Sequence, residues 1–362
     1  MKLLRPSRSL RRTMPPSSQG RTCLWTEAML PVDTPPPVSA RMAAWLARPA
    51  GRATAAIMAT LLWGSAFPAV KIGYRLGNIG PDDLFLQLLY AGVRFTAAGL
   101  ILCMLGAALN SSPLPRTRRQ AWFGLRVASV QTVLQYLFFY VGIAFSSGVS
   151  ASIIAGTLTF FQLAIAHFRY ADDRLTSRKL LAALVGFGAI AFYQVQHAGG
   201  YAGAAFGVGE AAMLAAMFFA AFGNVMNRES RENGWSPLRL TGFQMTVGGM
   251  ILGTVGLVGC GHRWPELSPA FFGVLVYLSF VSAGSFLLWN SLMTFNRPGS
   301  VAIFLFLVPV FGVLLSSIAL HEPFDARVLP ALAIIAASIV AAQGLPRSGN
   351  GTLSNGAAGA SR

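Results

Sequence analysis

The chain has 362 residues, of which 54% are apolar and only 11% are charged, and its net charge is +16. Soluble globular proteins carry about 25% charged residues, so the composition excludes an ordinary soluble protein. Apolar stretches of about 20 residues recur, each long enough to cross the hydrocarbon core of a bilayer as a helix. The sequence therefore predicts an all-α integral membrane protein. The net charge would suit nucleic-acid binding, but the positions of the charges, given below, indicate membrane topology instead.

The chain lacks the residue patterns of metal, disulfide and nucleotide sites. Its three cysteines, Cys23, Cys103 and Cys260, lie far apart, and its four histidines are equally scattered. No GxxxxGK[ST] phosphate-binding loop is present in the sequence, so we expect no nucleotide hydrolysis. We predict no metal, no cofactor and, without clustered catalytic groups, no enzyme.

The first 52 residues differ from the rest because Arg, Ser and Pro dominate them. No apolar segment follows the early arginines as in a signal peptide, so we predict a disordered, basic, cytoplasmic tail. Translation from Met1 and translation from Met42 both fit this composition. Residues 346–362 form a second expected disordered tail.

Between the tails, hydropathy predicts ten transmembrane helices, referred to below as spans 1 to 10. They cover roughly 54–74, 84–107, 121–144, 149–168, 178–196, 204–226, 238–259, 269–291, 299–319 and 327–344.

The basic residues predict how these spans are oriented. With the amino terminus inside, 22 Lys and Arg residues fall on the cytoplasmic side and three, Arg75, Arg263 and Arg327, on the other. Cytoplasmic loops of membrane proteins are enriched in such residues. We therefore predict a multi-pass protein of the plasma (inner) membrane of a bacterium, with both termini cytoplasmic.

The second half of the chain repeats the first. Spans 2 and 7 carry small residues at the same 4-3-4-3 spacing, which places them on one helix face and predicts close helix packing. In span 2 they are Gly92, Thr96, Gly99, Cys103 and Gly106, and in span 7 Gly242, Thr246, Gly249, Gly253 and Gly256.

A shift of 149 residues aligns spans 3–5 with spans 8–10, pairing Tyr140 with Trp289 and Asp173 with Glu322. We therefore predict two five-helix repeats, 53–198 and 199–345. Because five is odd, the second repeat must enter the membrane from the opposite side. Inverted repeats are a common plan of secondary transporters, with the substrate site near the midplane.

Several segments resemble the drug/metabolite transporter superfamily, EamA type. They are "LLWGSAFPAVKIG" (61–73), Arg94 in span 2, and "VPVFGVLLSSIALHEP" (308–323), and the resemblance covers about residues 54–345. It implies a ten-helix transporter. The stretch 135–168 is similar to a branch described as multidrug-efflux transporters. Unlike most of the family, which repeats Pro and Glu in the first half, this chain has Phe160 and Asp173 there.

Charged residues inside the membrane are costly, so each is a candidate for function. Arg94 would bind an anionic group or pair with a gating carboxylate, and the alternative is a purely structural pair. Lys71 lies near the outer end of span 1, where its ammonium could reach the headgroups, although the resemblance favours a functional role. Glu210, in span 6, could pair with Lys71, titrate in proton coupling, or simply lie at the interface.

Uncharged polar and aromatic residues at mid-span are the other candidates for the substrate pathway. The amides could line it or merely join helices, and the aromatic rings could line a pocket or belong to the core. They are Gln131, Gln135, Gln162, Asn224, Asn290, Trp63, Phe67, Tyr140 and Trp289.

Pro309 lies in the middle of span 9, where it would remove a backbone hydrogen bond and free the carbonyl of Leu305. We interpret it as a kink or hinge with a role in transport. The alternative is a kink without a function, satisfied by neighbouring groups. Because Phe160 stands at the equivalent position of the first repeat, the hinge is expected in the second repeat only. Glu322 and Asp325 are expected in the turn before span 10.

These features predict a secondary active transporter that exports small metabolites or amphipathic compounds by alternating access. An importer of a small solute is the first alternative, and a non-transporting membrane sensor or scaffold the second. The expected partners are a small-molecule solute, the lipid bilayer and a proton as coupling ion, with no nucleic acid. A monomer and a homodimer are both compatible with the sequence.

Overall fold

The computed structural model describes residues 38–109, 111–112, 114–146, 148–197, 206–261, 263–320 and 328–343, and every regular element in them is a helix. The prediction of an all-α protein is thus confirmed. One prediction is wrong: the amino-terminal tail, expected to be disordered through residue 52, is helical over Val38–Ala47 and again from Pro49. Alanine, methionine and leucine in this segment are strong helix formers. Glu322, Asp325 and the tail 346–362 lie outside the described residues.

Helices are present at all ten predicted spans within the described residues. Seven of them are long and apolar enough to cross a membrane. They are Pro49–Leu76, Leu84–Ala108, Arg118–Phe145, Val208–Glu229, Pro237–Gly259, Pro269–Phe295 and Pro298–Leu320. Span 4 consists of Gly148–Ala155 and Thr157–Arg169, span 5 of Ser177–His197, and span 10 of Val328–Gln343. Ten membrane crossings therefore stay a prediction.

Spans 2 and 7 form the closest helix pair, through the small residues that the sequence singles out. A Cβ atom added at Gly92 would lie 2.2 Å from the backbone nitrogen of Gly253, and one at Gly99 would lie 2.3 Å from that of Thr246. A Cβ atom added at Gly242 would lie 3.1 Å from the Sγ atom of Cys103. The residue numbers rise along one helix as they fall along the other, so the two helices are antiparallel. Only small residues permit this approach.

The remaining spans pack largely across the two halves of the chain. Span 1 packs against spans 8 and 9. Span 6, the counterpart of span 1, packs against spans 3 and 4, which the 149-residue shift pairs with spans 8 and 9. Span 5 packs against its own equivalent, span 10. Each half therefore contributes helices to the surroundings of the other.

Three spans depart from regular α-helix. A π-helix occupies Ala128–Leu134 in span 3. Span 4 is interrupted at Gly156, and span 9 changes to a 3₁₀-helix over Ala302–Phe306 before Leu307–Leu320 resumes as α-helix. Subtracting the shift of 149 from Leu305 gives Gly156, so the interruptions are equivalent. The first-half helix is interrupted without a proline because Gly156 weakens it. A hinge in the second repeat only stays a prediction.

The loops gather at two ends of the bundle. One end, called the basic end, carries the described loops after spans 2, 4, 6 and 8, and it is rich in arginine. There Arg119 donates to the side chain of Asn233, and Arg239 donates to the carbonyls of Ser112 and Leu114. The opposite end carries the loops after spans 1 and 7, which meet through the hydrogen bond from Asn78 to Glu266.

Candidate functional site

Arg94 lies about three turns into span 2 and is 5% exposed. Its guanidinium carbon is 4.4 Å from the centre of the Phe95 ring. The Nε atom is buried and has no hydrogen-bond partner among the described residues, and no described carboxylate forms an ion pair with this side chain. The structural pair that the sequence left open for Arg94 is therefore absent from the described part of the chain.

The Phe95 ring that Arg94 contacts belongs to a group of aromatic rings from spans 1, 2, 3 and 8, called the aromatic cluster. They are Trp63, Tyr74, Tyr90, Phe95, Tyr136, Tyr140, Phe286 and Trp289.

Six of these rings form a continuous series of contacts, and Tyr74 and Tyr90 form a separate pair at 5.5 Å. The Trp63 ring lies 5.4 Å from both Phe286 and Trp289, centre to centre, and Phe95 lies 4.4 Å from Tyr136. These distances are in the range in which aromatic pairs attract one another. Of the four aromatic candidates named from sequence, Trp63, Tyr140 and Trp289 belong to the cluster.

The cluster contains several buried polar atoms without partners. The hydroxyls of Tyr74 and Tyr90, the Nε of Arg94 and the indole nitrogen of Trp289 make no hydrogen bond within the described residues. The Tyr74 hydroxyl lies near that of Tyr140, but beyond ordinary hydrogen-bond geometry. Each of these groups can donate a hydrogen bond. Buried donors are rarely left unpaired, so this concentration is characteristic of a binding site.

A chain of buried amides lies next to the cluster, toward the basic end, and is called the amide chain. The Nε2 of Gln131 donates to the side-chain oxygens of Asn224 (2.8 Å) and Asn290 (3.1 Å). Asn224 Nδ2 donates to Gln162 (3.0 Å), whose own Nε2 donates to the carbonyl of Pro298 (2.9 Å).

Two residues not singled out from sequence complete the amide chain. Asn290 Nδ2 donates to the hydroxyl of Thr241 (3.0 Å), and Asn227 Nδ2 donates to Gln131 Oε1 (2.9 Å). Both added residues are fully buried. The amide chain thereby joins spans 3, 4, 6, 7, 8 and the start of span 9. Four amides could be found from sequence because they interrupt apolar runs, whereas Asn227 and Thr241 lie near span ends, where polar residues are expected.

Gln135 lies outside the amide chain. It is half-buried, and its side chain makes no hydrogen bond with another described residue. The sequence predicts that Gln131 and Gln135 are neighbours one helical turn apart. The π-helix over Ala128–Leu134 changes that register, because its hydrogen bonds join residues five apart.

Ion pairs between the two halves lie at the basic end, beyond the amide chain. Arg169 Nε is 2.8 Å from Glu229, and Arg228 is 2.6 Å from Asp172. The hydrogen bond from Arg228 lowers the pKa of Asp172, and burial, followed by the charge of Glu229, raises the pKa of Tyr170 well above its usual value. These contacts fasten the loop after span 4 to the loop after span 6.

Asp173 is a buried acid that sequence reasoning did not select. Its Oδ1 is 2.6 Å from Lys179 Nζ, and its Oδ2 accepts a hydrogen bond from the backbone N–H of Gly299 at 2.6 Å. A first-half carboxylate thus binds the beginning of span 9. Its equivalent, Glu322, is outside the described residues.

A single described ion pair joins the halves at the opposite end. Arg263 contacts both oxygens of Asp83, at 2.5 and 3.0 Å, and this hydrogen bonding lowers the pKa of Asp83. This ion pair is largely exposed, as is the pair of Arg169 and Glu229 at the basic end, so neither adds much stability.

The remaining candidates lie away from the aromatic cluster. Glu210, in the first turn of its helix, accepts a hydrogen bond from the N–H of Gly207 (3.0 Å) and forms no ion pair with Lys71. Lys71 is exposed. Phe67 is 47% exposed and faces Gly312 of span 9. Pro309 is the third residue of Leu307–Leu320, where a missing N–H costs little.

The sequence matches a known family twice. The model of the EamA-like transporter family matches residues 52–194 and 207–342, more than half of the chain. The chain belongs to this family. The resemblance to EamA-type members of the drug/metabolite transporter superfamily is thereby confirmed, and the chain is a multi-pass membrane transporter.

Relatives of this transporter occur in bacteria and archaea. It is 25% identical over 301 residues to a Bacillus subtilis (strain 168) protein named "Uncharacterized transporter YvbV", covering 79% of this chain and 90% of the other. An "Uncharacterized transporter" of Archaeoglobus fulgidus is 23% identical over 267 residues, covering 73% and 88%. A crystal structure with 18% identity superposes with a TM-score of 0.64, over 80% of this chain and 95% of that one, which shows a shared fold.

Proposed function

We propose that this protein is a secondary active transporter that exports small metabolites or amphipathic compounds by alternating access. The observation that carries the proposal is the closure of the basic end by the amide chain and the ion pairs. Nearly all of these contacts join the two halves of the chain, and nearly all are polar. A gate of this kind can open to water at low cost, because water replaces each broken hydrogen bond.

The order of layers supports the same proposal. Span 3 passes Arg126, Gln131 and Tyr136 in turn, so it runs from the basic end through the amide chain to the aromatic cluster. The cluster, with Arg94, is the proposed solute site. In alternating access, a closed gate separates the central site from one side of the membrane while the site is open to the other. In the proposed mechanism, the amide chain and the ion pairs form the gate at the basic end.

An inverted arrangement of the repeats 53–198 and 199–345 is part of this proposal. The antiparallel packing of the equivalent spans 2 and 7 supports it, as does the exchange of partners by spans 1 and 6. With ten spans and a cytoplasmic basic end, both termini lie in the cytoplasm. Thiol labelling of intact cells tests this topology: Arg118→Cys should resist an impermeant reagent, and Arg263→Cys should react.

Transport is tested by flux into inverted vesicles that contain the purified protein. We expect movement of at least one solute from a broad panel that depends on a proton gradient. Uptake of a solute by intact cells would favour the importer alternative. If no solute moves in response to the gradient, the transporter mechanism is refuted.

Glu210 is the residue proposed for proton coupling. Glu210→Gln keeps an oxygen that accepts from Gly207, so it preserves the helix cap while it removes the titratable group. We expect this variant to lose proton-driven flux and to keep its place in the membrane. Full proton-driven flux in Glu210→Gln would exclude this residue as the coupling site.

A further inference from the structure

The aromatic cluster and Arg94 have a composition that selects among solutes. We propose that this site binds a monocarboxylate whose body is flat and apolar, with the carboxylate held by Arg94 and by the free hydroxyls of Tyr74 and Tyr90. The inference rests on the proposed function, because it assigns the substrate class of the same central site.

The polar groups of the site favour an anion. Arg94 is buried, with 5% of its surface exposed, and it follows Tyr90 by one helical turn on span 2. The ring of Tyr74 lies 5.5 Å from the ring of Tyr90, centre to centre. The buried unpaired atoms are a guanidinium nitrogen, two hydroxyls and an indole nitrogen, all of which donate. A carboxylate accepts several hydrogen bonds at once and can take two from one guanidinium.

The charge of the site favours a single negative charge without an amine. Arg94 is the cation that contacts a ring of the aromatic cluster within the described residues, and no described carboxylate forms an ion pair with it. A doubly charged phosphate would be left with one charge unpaired in a buried site, which is costly. An ammonium group would meet the Arg94 charge without a carboxylate to balance it. Dianions and amino acids are therefore disfavoured.

The rings of the site favour a flat, apolar body. Trp63 packs at 5.4 Å against both Phe286 and Trp289, with the planes inclined at 81° and 55°, so the rings present edges and faces to the same region. An aromatic solute gains affinity from each such ring contact, beyond the burial of its surface. An aliphatic chain of the same size would gain only the burial.

Calorimetric titration of the full-length protein in lipid nanodiscs tests this proposal. The probes are phenylacetate, its neutral amide phenylacetamide, and phenylalanine, which adds an ammonium group. We expect phenylacetate to bind more tightly than either of the others. Arg94→Gln should weaken phenylacetate binding about tenfold or more, as for other hydrogen bonds to charged groups, and Arg94→Lys less.

Two further variants separate binding from folding. Tyr90→Phe keeps the ring and removes one donor, so a several-fold loss of phenylacetate affinity is expected with unchanged thermal unfolding. Arg126→Gln, in span 3 outside the cluster, should bind phenylacetate as the wild type does. Equal affinity for phenylacetate and phenylacetamide, no loss in Arg94→Gln, or no binding at about 10 mM phenylacetate would each overturn the proposal.

The outcome is separate from that of the flux experiment. If the vesicles transport other solutes and phenylacetate does not bind, the substrate class is wrong and the transporter mechanism stands. If phenylacetate binds through Arg94 and no solute moves, the site is correct and the transport mechanism is wrong.

Discussion

At the scale of single residues, the polar side chains inside the bundle divide into two kinds. Most of those in the amide chain are satisfied by one another, as Gln131 and Asn224 are, and one atom, Asn227 Oδ1, is unpaired among the described residues. Those of the aromatic cluster, such as Arg94 and Tyr90, are buried and keep unpaired atoms. Fully satisfied buried networks rigidify a protein, whereas unpaired groups are available to a ligand. The first kind therefore suits a gate and the second a binding site.

Gln131 is the amide whose loss should affect the gate most. Gln131→Ala removes hydrogen bonds to Asn224, Asn290 and Asn227 together. At about 0.6 kcal/mol for each interhelical hydrogen bond inside a membrane, we expect a destabilisation of about 2 kcal/mol. Thermal unfolding in detergent measures it, and Gln135→Ala on the same span is the matched control. Equal unfolding temperatures for both variants would contradict a structural role for the amide chain.

Sequence reasoning reached part of this site. Gln131, Gln162, Asn224 and Asn290 could be selected because amides are rare in apolar runs, and Arg94 because charge is rarer still. The tyrosines could not be selected in the same way. Tyr74 and Tyr90 lie near span ends, where tyrosine commonly anchors a helix at the membrane surface. Tyr90 precedes Arg94 by one turn of the same helix, whereas Tyr74 of span 1 reaches this region only through the packing of the spans.

At the scale of elements, the pairing of spans 2 and 7 was readable from sequence because it depends on residue size alone. The ridge of small residues at 4-3-4-3 spacing predicted a close contact, and Gly92, Gly99 and Gly249 make it. The helix interruptions were harder to predict. Proline marks the one in span 9, whereas Gly156 in span 4 resembles many glycines that leave a membrane helix intact.

Gly99 should be intolerant of any side chain. A methyl group there would approach the backbone nitrogen of Thr246 to 2.3 Å, so Gly99→Ala must push spans 2 and 7 apart. Overpacking of this kind costs about 1–3 kcal/mol. Gly273→Ala, in span 8, adds the same methyl group where no atom lies within 4 Å. We expect the unfolding temperature to fall for Gly99→Ala only. A lower unfolding temperature for Gly273→Ala than for Gly99→Ala would refute the proposed packing.

Pro309 should affect transport more than stability. It lies in the first turn after the 3₁₀ segment, where its missing N–H has no required partner, and it prevents a regular α-helix from extending back to Leu305. We expect Pro309→Ala to slow flux several-fold and to change stability by less than about 0.5 kcal/mol. Val313→Ala, one turn later, is the control for flux. Unchanged flux in Pro309→Ala would contradict the proposal that Pro309 forms a hinge.

At the scale of the whole molecule, the two ends are closed by different means. The basic end has the buried amide chain and the buried hydrogen bond from Gly299 to Asp173, together with the partly exposed ion pair of Arg169 and Glu229. The opposite end has the exposed pair of Asp83 and Arg263. An exposed ion pair contributes only about 0–1 kcal/mol. Because the amide chain consists of several buried hydrogen bonds between the halves, we expect release of the basic end to be a slow step of the cycle.

A reversible cross-link at the basic end tests this last statement. Asp172 and Arg228 belong to different halves, and Arg228 Nη2 lies 2.6 Å from Asp172 Oδ2. A bifunctional thiol reagent that spans the two side chains can therefore join Asp172→Cys to Arg228→Cys in a protein whose three native cysteines are replaced. If the basic end must open in each cycle, the cross-link stops flux and a reducing agent restores it. Each single-cysteine variant, treated alike, should keep its flux. Because the aromatic cluster lies beyond the amide chain, phenylacetate should still bind the cross-linked protein from the opposite end. Continued flux across the bridged halves would mean that solute passes without opening this gate.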